Sequence, residues 1–110
     1  MSKIVPRTPA GFVELLPEEQ LIFNSMIETI RKTYELYGFA PIETPAIEYA
    51  EVLLAGAGED TQKEIYRFQK GDKDLGLHFD LTVPLARYVA EHRHDLTFPF
   101  RRYQIQKVWR

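Results

Sequence analysis

The chain is predicted to be an α+β domain, an antiparallel sheet with its helices packed on one face. Three observations carry this: a long amphipathic helix pattern closed by a glycine, two strand-like runs joined by turn residues, and a final segment that alternates polar and apolar side chains. The order helix, strand, short helix, hairpin, helix, strand suits helices set against an antiparallel sheet. The second sheet face is then expected to be polar.

Residues 1–16 show no clear periodicity and hold Pro6, Pro9 and Gly11, so they read as an extended arm anchored by Phe12, Leu15 and Leu16. A helix is predicted over residues 17–37. Pro17 suits a first turn, Glu18 and Glu19 complement the positive end of the helix dipole, and Gly38 follows as a C-terminal cap. Phe23, Met26, Ile27, Ile30, Tyr34 and Tyr37 recur at helical spacing and line up one apolar face.

Residues 39–45 read as a strand whose Pro41 and Pro45 cannot donate ladder hydrogen bonds, which places it at a sheet edge or an interface. A short helix is expected over 46–54 and a flexible loop over 55–60. The runs 65–69 and 75–79, joined across Lys70-Gly71-Asp72-Lys73-Asp74, read as a hairpin spanning 65–79. A second helix is expected within 80–94, starting near Thr82, whose hydroxyl can cap free N–H groups, with Pro84 in the first turn. Leu85, Val89 and His92 share a face with Tyr88. Over residues 100–110, Tyr103, Ile105 and Trp109 alternate with Arg102, Gln104, Gln106 and Arg110, the pattern of a strand with one polar face.

The 110 residues hold 14 Lys+Arg against 16 Asp+Glu, a net charge of −2, with 45% hydrophobic and 13% aromatic residues. That is enough apolar material for one folded domain and argues against intrinsic disorder. No apolar run approaches the roughly 20 residues of a membrane helix, and the first residues lack the apolar core of a signal peptide, so a cytoplasmic protein is expected. The chain has no cysteine, which excludes disulfides, thiolate metal sites and a cysteine nucleophile. Charge is unevenly placed. Residues 100–110 carry Arg101, Arg102, Lys107 and Arg110 without an acid, giving +4, so the first 99 residues have ten basic and 16 acidic side chains and a net of −6. Because the last strand pattern runs to Arg110 with no stop signal, the chain is expected to be part of a longer protein.

Two constellations can carry chemistry. The polar stripe of the last strand offers forked donors to phosphate, carboxylate or nucleobase groups, although from periodicity alone a solvated sheet face is the favoured explanation. Asp80-Leu81-Thr82 sits where a strand ends and a helix begins, so its aspartate can bind an ammonium group, or can cap the helix, or both. His92 and His94 are two apart and point to different sides of a helix, so no metal site is expected. Gly56 and Gly58 fit neither a phosphate loop nor a dinucleotide fingerprint.

Three segments then combine: residues 38–48, Gly-Phe-Ala-Pro-Ile-Glu-Thr-Pro-Ala-Ile-Glu; residues 77–88, Leu-His-Phe-Asp-Leu-Thr-Val-Pro-Leu-Ala-Arg-Tyr; and residues 100–110, Phe-Arg-Arg-Tyr-Gln-Ile-Gln-Lys-Val-Trp-Arg. In this order and spacing, from about Gly11 onward, they resemble the N-terminal part of the histidyl-tRNA synthetase catalytic domain, a class II aminoacyl-tRNA synthetase fold. The resemblance implies that residues 38–54 form motif 1, a homodimer interface built around Pro45. It implies that residues 80–94 hold the amino-acid-binding corner, with Asp80, Leu81 and Thr82 on histidine and Asp80 and Thr82 at its α-amino group. Many family members carry glutamate at the place of Asp80, and the shorter acid also occurs. It further implies that residues 100–110 open motif 2, with Arg110 as the catalytic arginine contacting the ATP α-phosphate and the histidine carboxylate. ATP, histidine and tRNA(His) follow as substrates, and Mg²⁺ as a cofactor with ligands outside these residues. The arm departs from the commoner Arg-Gly-Thr-x-Asp form and is assigned no ligand. With the rest of motif 2, motif 3 and the anticodon-binding domain missing, the 110 residues alone are expected to be inactive.

Two other readings compete. The synthetase-like regulatory subunit of ATP phosphoribosyltransferase shares the fold without ligating anything, and a nucleic-acid-binding module could use Tyr103 and Trp109 on the basic strand. The Asp-Leu-Thr-Val-Pro and Arg-Arg-Tyr-Gln runs favour the synthetase, and the acidic body disfavours the nucleic-acid module.

Overall fold

The computed structural model describes residues 3–110, so Met1 and Ser2 of the expected arm lie outside the described residues. The chain forms two compact units, Met1–Tyr37 and Gly38–Arg110.

In the first unit, an extended segment turns at Gly11, φ +86°, and leads into α1, Pro17–Leu36. The Leu16 N–H donates to Glu19 Oε1 at 3.3 Å, satisfying one of the donors that a helix start leaves open. Leu16 itself is 72% exposed and so does not anchor the arm. The helix stops as its sequence predicts: Gly38, just past the cap residue Tyr37, has φ +83°, the left-handed geometry that a side chain resists.

The second unit holds β1 (Ala40–Pro41), β2 (Ile47–Tyr49), α2 (Ala50–Leu54), α3 (Glu59–Glu64), β3 (Arg67–Lys70), β4 (Lys73–Leu77), α4 (Thr82–His92) and β5 (Arg102–Tyr103), with a 3-10 turn over Arg93–Asp95. An antiparallel sheet has the order β2-β4-β3, pairing Ile47 with Leu77, Glu48 with Gly76, and Arg67 with Gly76. The predicted hairpin closes more tightly than expected, with Lys70 opposite Lys73. Gly71 has φ +65° while Asp72 does not enter that region, the pattern of a two-residue turn with glycine leading.

Three elements differ from expectation. Residues 47–49 are strand rather than helix, because Ile47 and Tyr49 pair across to β4 before the helix begins at Ala50. The expected loop over 55–60 runs into α3, a helix whose six residues, Glu59 to Glu64, contain no large apolar side chain and so gave no periodic signal. The strand expected over 100–110 is strand only at Arg102–Tyr103, where β5 forms a separate parallel pair with β1, Ala40 beside Arg102 and Pro41 beside Tyr103, outside the antiparallel sheet.

The core of this unit gathers Ala50 and Leu53 of α2, Pro84 of α4, Ile65 and Tyr103. Gly76 lets α2 approach the sheet: a Cβ there would lie 2.9 Å from Leu53 Cδ1 and 3.0 Å from the Tyr66 carbonyl oxygen. Glu48, opposite Gly76, shares this helix-covered face, and so does His78 by alternation. Glu48 and His78 therefore lie inside. Ile47, Tyr49 and Phe68 alternate onto the other face, 46%, 50% and 36% exposed, beside the exposed Lys70 and Lys73, so that face mixes apolar and basic side chains where a polar one was expected. No described helix is long and apolar enough to cross a membrane.

Candidate active site

The corner between β4 and α4 is set by the Asp80 carboxylate. Its Oδ1 accepts from the backbone N–H groups of Thr82 at 3.2 Å and Val83 at 3.4 Å. Asp80, not Thr82, is thus the capping acceptor, and Pro84 beside it needs no donor partner. These bonds engage one oxygen and leave Oδ2 able to receive an ammonium group. Asp80 and Leu81 are half-buried and Thr82 is exposed.

The C-terminal segment reaches this corner through His78. Trp109 N–H donates to the His78 carbonyl at 3.0 Å, and the His78 N–H donates to Ala46 at 2.9 Å. Arg110 is therefore one residue from a backbone bond to His78, and Asp80 is two residues from the same carbonyl. Arg110 is exposed, and among the described residues no ion pair joins it to Asp80. The backbone bond thus brings the segments that carry these two candidate residues together, without an ion pair between them.

The expected polar stripe divides. Gln106 is committed to the fold: its Oε1 accepts from Thr44 N–H at 3.1 Å and its Nε2 donates to Thr44 O at 2.7 Å. Gln104 Nε2 donates to Gln106 Oε1 at 3.0 Å. These glutamines clamp the segment before Pro45 to the last segment, and of the stripe only Arg110 at its end is exposed.

Behind the corner lies an ion pair that sequence reasoning missed. Glu48, 5% exposed, accepts from Arg87 Nε at 2.8 Å and Nη2 at 3.1 Å, and Arg87 Nη1 also reaches Glu91 at 2.6 Å. The hydrogen bond that Arg87 donates to Glu48 holds the guanidinium above its ordinary pKa, against the opposing effect of partial burial. Because α4 begins at Thr82, this pair pins the helix that carries the corner to β2. Its signal was present as Glu48 and Arg87, but nothing in local periodicity joins residues 39 positions apart.

A cavity of about 750 Å³ is lined by Pro45, Ile47, Tyr49, Lys70, Lys73 and Tyr88 among others. Pro45 is exposed at its edge. Thr82 lines two shallower clefts of about 610 and 690 Å³ on either side of α4, and neither is lined by Asp80 or Arg110.

Residues 11–110 match the family model described as histidyl-tRNA synthetase. The histidine–tRNA ligase of Clostridium tetani is 59% identical over 107 residues, covering 97% of this chain and 24% of that protein. The crystal structure of histidyl-tRNA synthetase from Nostoc sp. PCC 7120 superposes with a TM-score of 0.87 at 49% identity, covering 98% of this chain and 24% of that one. A Bacillus halodurans structure described as an ATP phosphoribosyltransferase regulatory subunit/histidyl-tRNA synthetase superposes at 0.83 with 25% identity, covering 99% of this chain and 29% of that one. The chain spans about a quarter of the length of the relatives it matches.

Proposed function

The chain belongs to the histidyl-tRNA synthetase family, and on that premise we propose that, within a protein of its relatives' full length, it supplies part of the active site of a cytoplasmic histidine–tRNA ligase. Asp80 receives the α-amino group of histidine on the oxygen its helix cap leaves open, with Leu81 and Thr82 completing the corner. Arg110 faces the ATP α-phosphate and the histidine carboxylate. The carboxylate oxygen attacks the α-phosphorus, the bond to the β-phosphate oxygen breaks, and pyrophosphate leaves. The terminal ribose hydroxyl of tRNA(His) then attacks the acyl carbon and AMP departs. In the first step the chain's own residues position and neutralise charge, as phosphoryl transfer requires.

The described residues contain no group of three His, Asp or Glu side chains able to hold Mg²⁺. Pro45 and the exposed Ile47 and Tyr49 form the surface on which a second copy would pack, giving a homodimer.

The observation that carries this reading is the backbone bond from Trp109 to His78, which supports bringing the arginine and the acidic corner together. Its test is the charging of tRNA(His) with labelled histidine by the full-length protein. Histidine-specific charging is expected; a folded protein that charges nothing yet binds a phosphoribosyltransferase subunit would transfer the chain to the regulatory class, whose Bacillus halodurans relative is the more distant at 25% identity.

A further inference from the structure

His78 is 1% exposed, and the proposed reaction makes no use of its side chain. Its Nε2 lies 2.5 Å from the carbonyl oxygen of Lys107. A carbonyl can only accept, so Nε2 carries the proton and donates, and Nδ1 is left as a bare acceptor. That Nδ1 is buried without a hydrogen-bond partner among the described residues. The Nε2 bond is therefore the hydrogen bond that the ring makes among the described residues.

What it does is local and directional. Beyond β5 the described residues 104–110 have no assigned strand ladder, yet His78 holds them twice: through its side chain at Lys107 and through its carbonyl at Trp109. Its N–H meanwhile bonds Ala46, just ahead of β2. Three segments far apart in sequence meet at this one residue, two positions before Asp80 and against the residues that lead into Arg110.

We infer that His78 is a positioning residue: its Nε2–H bond to the Lys107 carbonyl fixes the last residues so that Arg110 stands beside the Asp80–Thr82 corner. The inference rests on the proposed reading of that corner and of Arg110, and it adds a specific donor that no apolar residue of similar bulk can replace.

The test uses the full-length protein with two substitutions. His78→Leu keeps bulk and removes the donor, while His78→Gln sets an amide N–H near the position of Nε2. Amide hydrogen exchange over residues 104–110 and the kinetics of histidine-dependent ATP–pyrophosphate exchange are measured for each. In His78→Leu, the amides near residue 109 should exchange at least about tenfold faster and kcat should fall about ten- to a hundredfold, the range expected when a part-buried carbonyl loses its donor. The KM for histidine should rise by a smaller factor than kcat falls, because the Asp80 corner is intact while Arg110 also faces the histidine carboxylate. His78→Gln should recover most of both losses.

Equal impairment of the two variants with equal falls in Tm would reduce His78 to a structural role and overturn the inference, as would unchanged hydrogen exchange in His78→Leu. Should the leucine variant not fold, His78→Asn, whose shorter amide cannot reach Lys107, takes its place with the same expected outcomes. If the unsubstituted protein shows no pyrophosphate exchange, the proposed function fails instead, and the hydrogen-exchange contrast alone decides whether His78 fixes the segment.

Discussion

Arg87 grips Glu48 with two nitrogens, at 2.8 and 3.1 Å, and so ties the helix that begins at the acidic corner to the strand that follows Pro45. The carboxylate side chain is 4% exposed and the guanidinium 25%, so the pair is desolvated mainly on the acid's side. Burying two charges gains little net stability, but removing one of them leaves the other uncompensated.

Arg87→Met should therefore lower the unfolding free energy by about 3 kcal/mol, the low end of the range for breaking a buried pair because the arginine is partly solvated. Adding Glu48→Gln should restore part of that loss. A double-mutant cycle by urea unfolding measures the coupling, which should reach about 0.5–3 kcal/mol for residues in direct contact. Additive losses would show that the two side chains act independently.

Asp80 has two separable tasks, and substitutions can part them. Asn is as good a helix cap as Asp, so Asp80→Asn should leave stability nearly unchanged while lowering histidine affinity about ten- to a hundredfold through the lost charge. Asp80→Ala should lose the same affinity and also about 1 kcal/mol of stability. Calorimetric titration with histidine and thermal unfolding separate the two effects. Unchanged histidine affinity in Asp80→Asn would exclude the carboxylate from the ammonium site.

At the hairpin, the Arg67 guanidinium donates to the Asp74 carboxylate from Nε at 2.9 Å and from Nη2. That hydrogen bond holds Asp74 below its ordinary value of 3.8. A carboxylate depressed in the folded state contributes stability above its unfolded pKa, and the contribution disappears as pH falls through the lower folded value. The pair should thus support the hairpin at neutral pH and release it in acid below about pH 4. A carbon NMR titration should place the Asp74 midpoint under 3.8, and Arg67→Ala should return it there. A midpoint indifferent to Arg67 would contradict the assignment.

Gly76 makes a packing prediction. A methyl group would enter within 3.0 Å of both Leu53 and the Tyr66 carbonyl, and backbone cannot move aside cheaply. Gly76→Ala should cost about 1–3 kcal/mol by overpacking. Leu53→Ala in the same background should relieve the clash with the side chain but not with the carbonyl, so only part of the loss should return in a denaturant series.

Much of this was legible in the sequence, and the failures have physical reasons. α1 announced itself through Pro17, the apolar spacing and Gly38, since each acts over one or two turns. The hairpin was readable because Gly71 and Asp72 determine turn geometry locally. The parallel contact of Ala40 with Arg102 was not, because two residues 62 apart in sequence leave no local pattern. For the same reason Gln106 looked like a solvent-facing member of an alternating strand, although it bonds Thr44 across that distance. In the candidate site, the place of Asp80 between a strand and a helix was legible because such a junction is visible in composition. His78 was overlooked because a lone histidine between Leu77 and Phe79 carries no sign of what its ring meets.

The most direct test is histidine-dependent ATP–pyrophosphate exchange by the full-length protein, compared with its Arg110→Ala variant. Robust exchange that falls at least about a hundredfold in the variant is predicted, as expected when a cationic contact to a transferring phosphoryl group is removed. Exchange undiminished in Arg110→Ala would contradict the placement of that arginine at the α-phosphate, and a folded parent with no exchange would contradict the ligase reading itself.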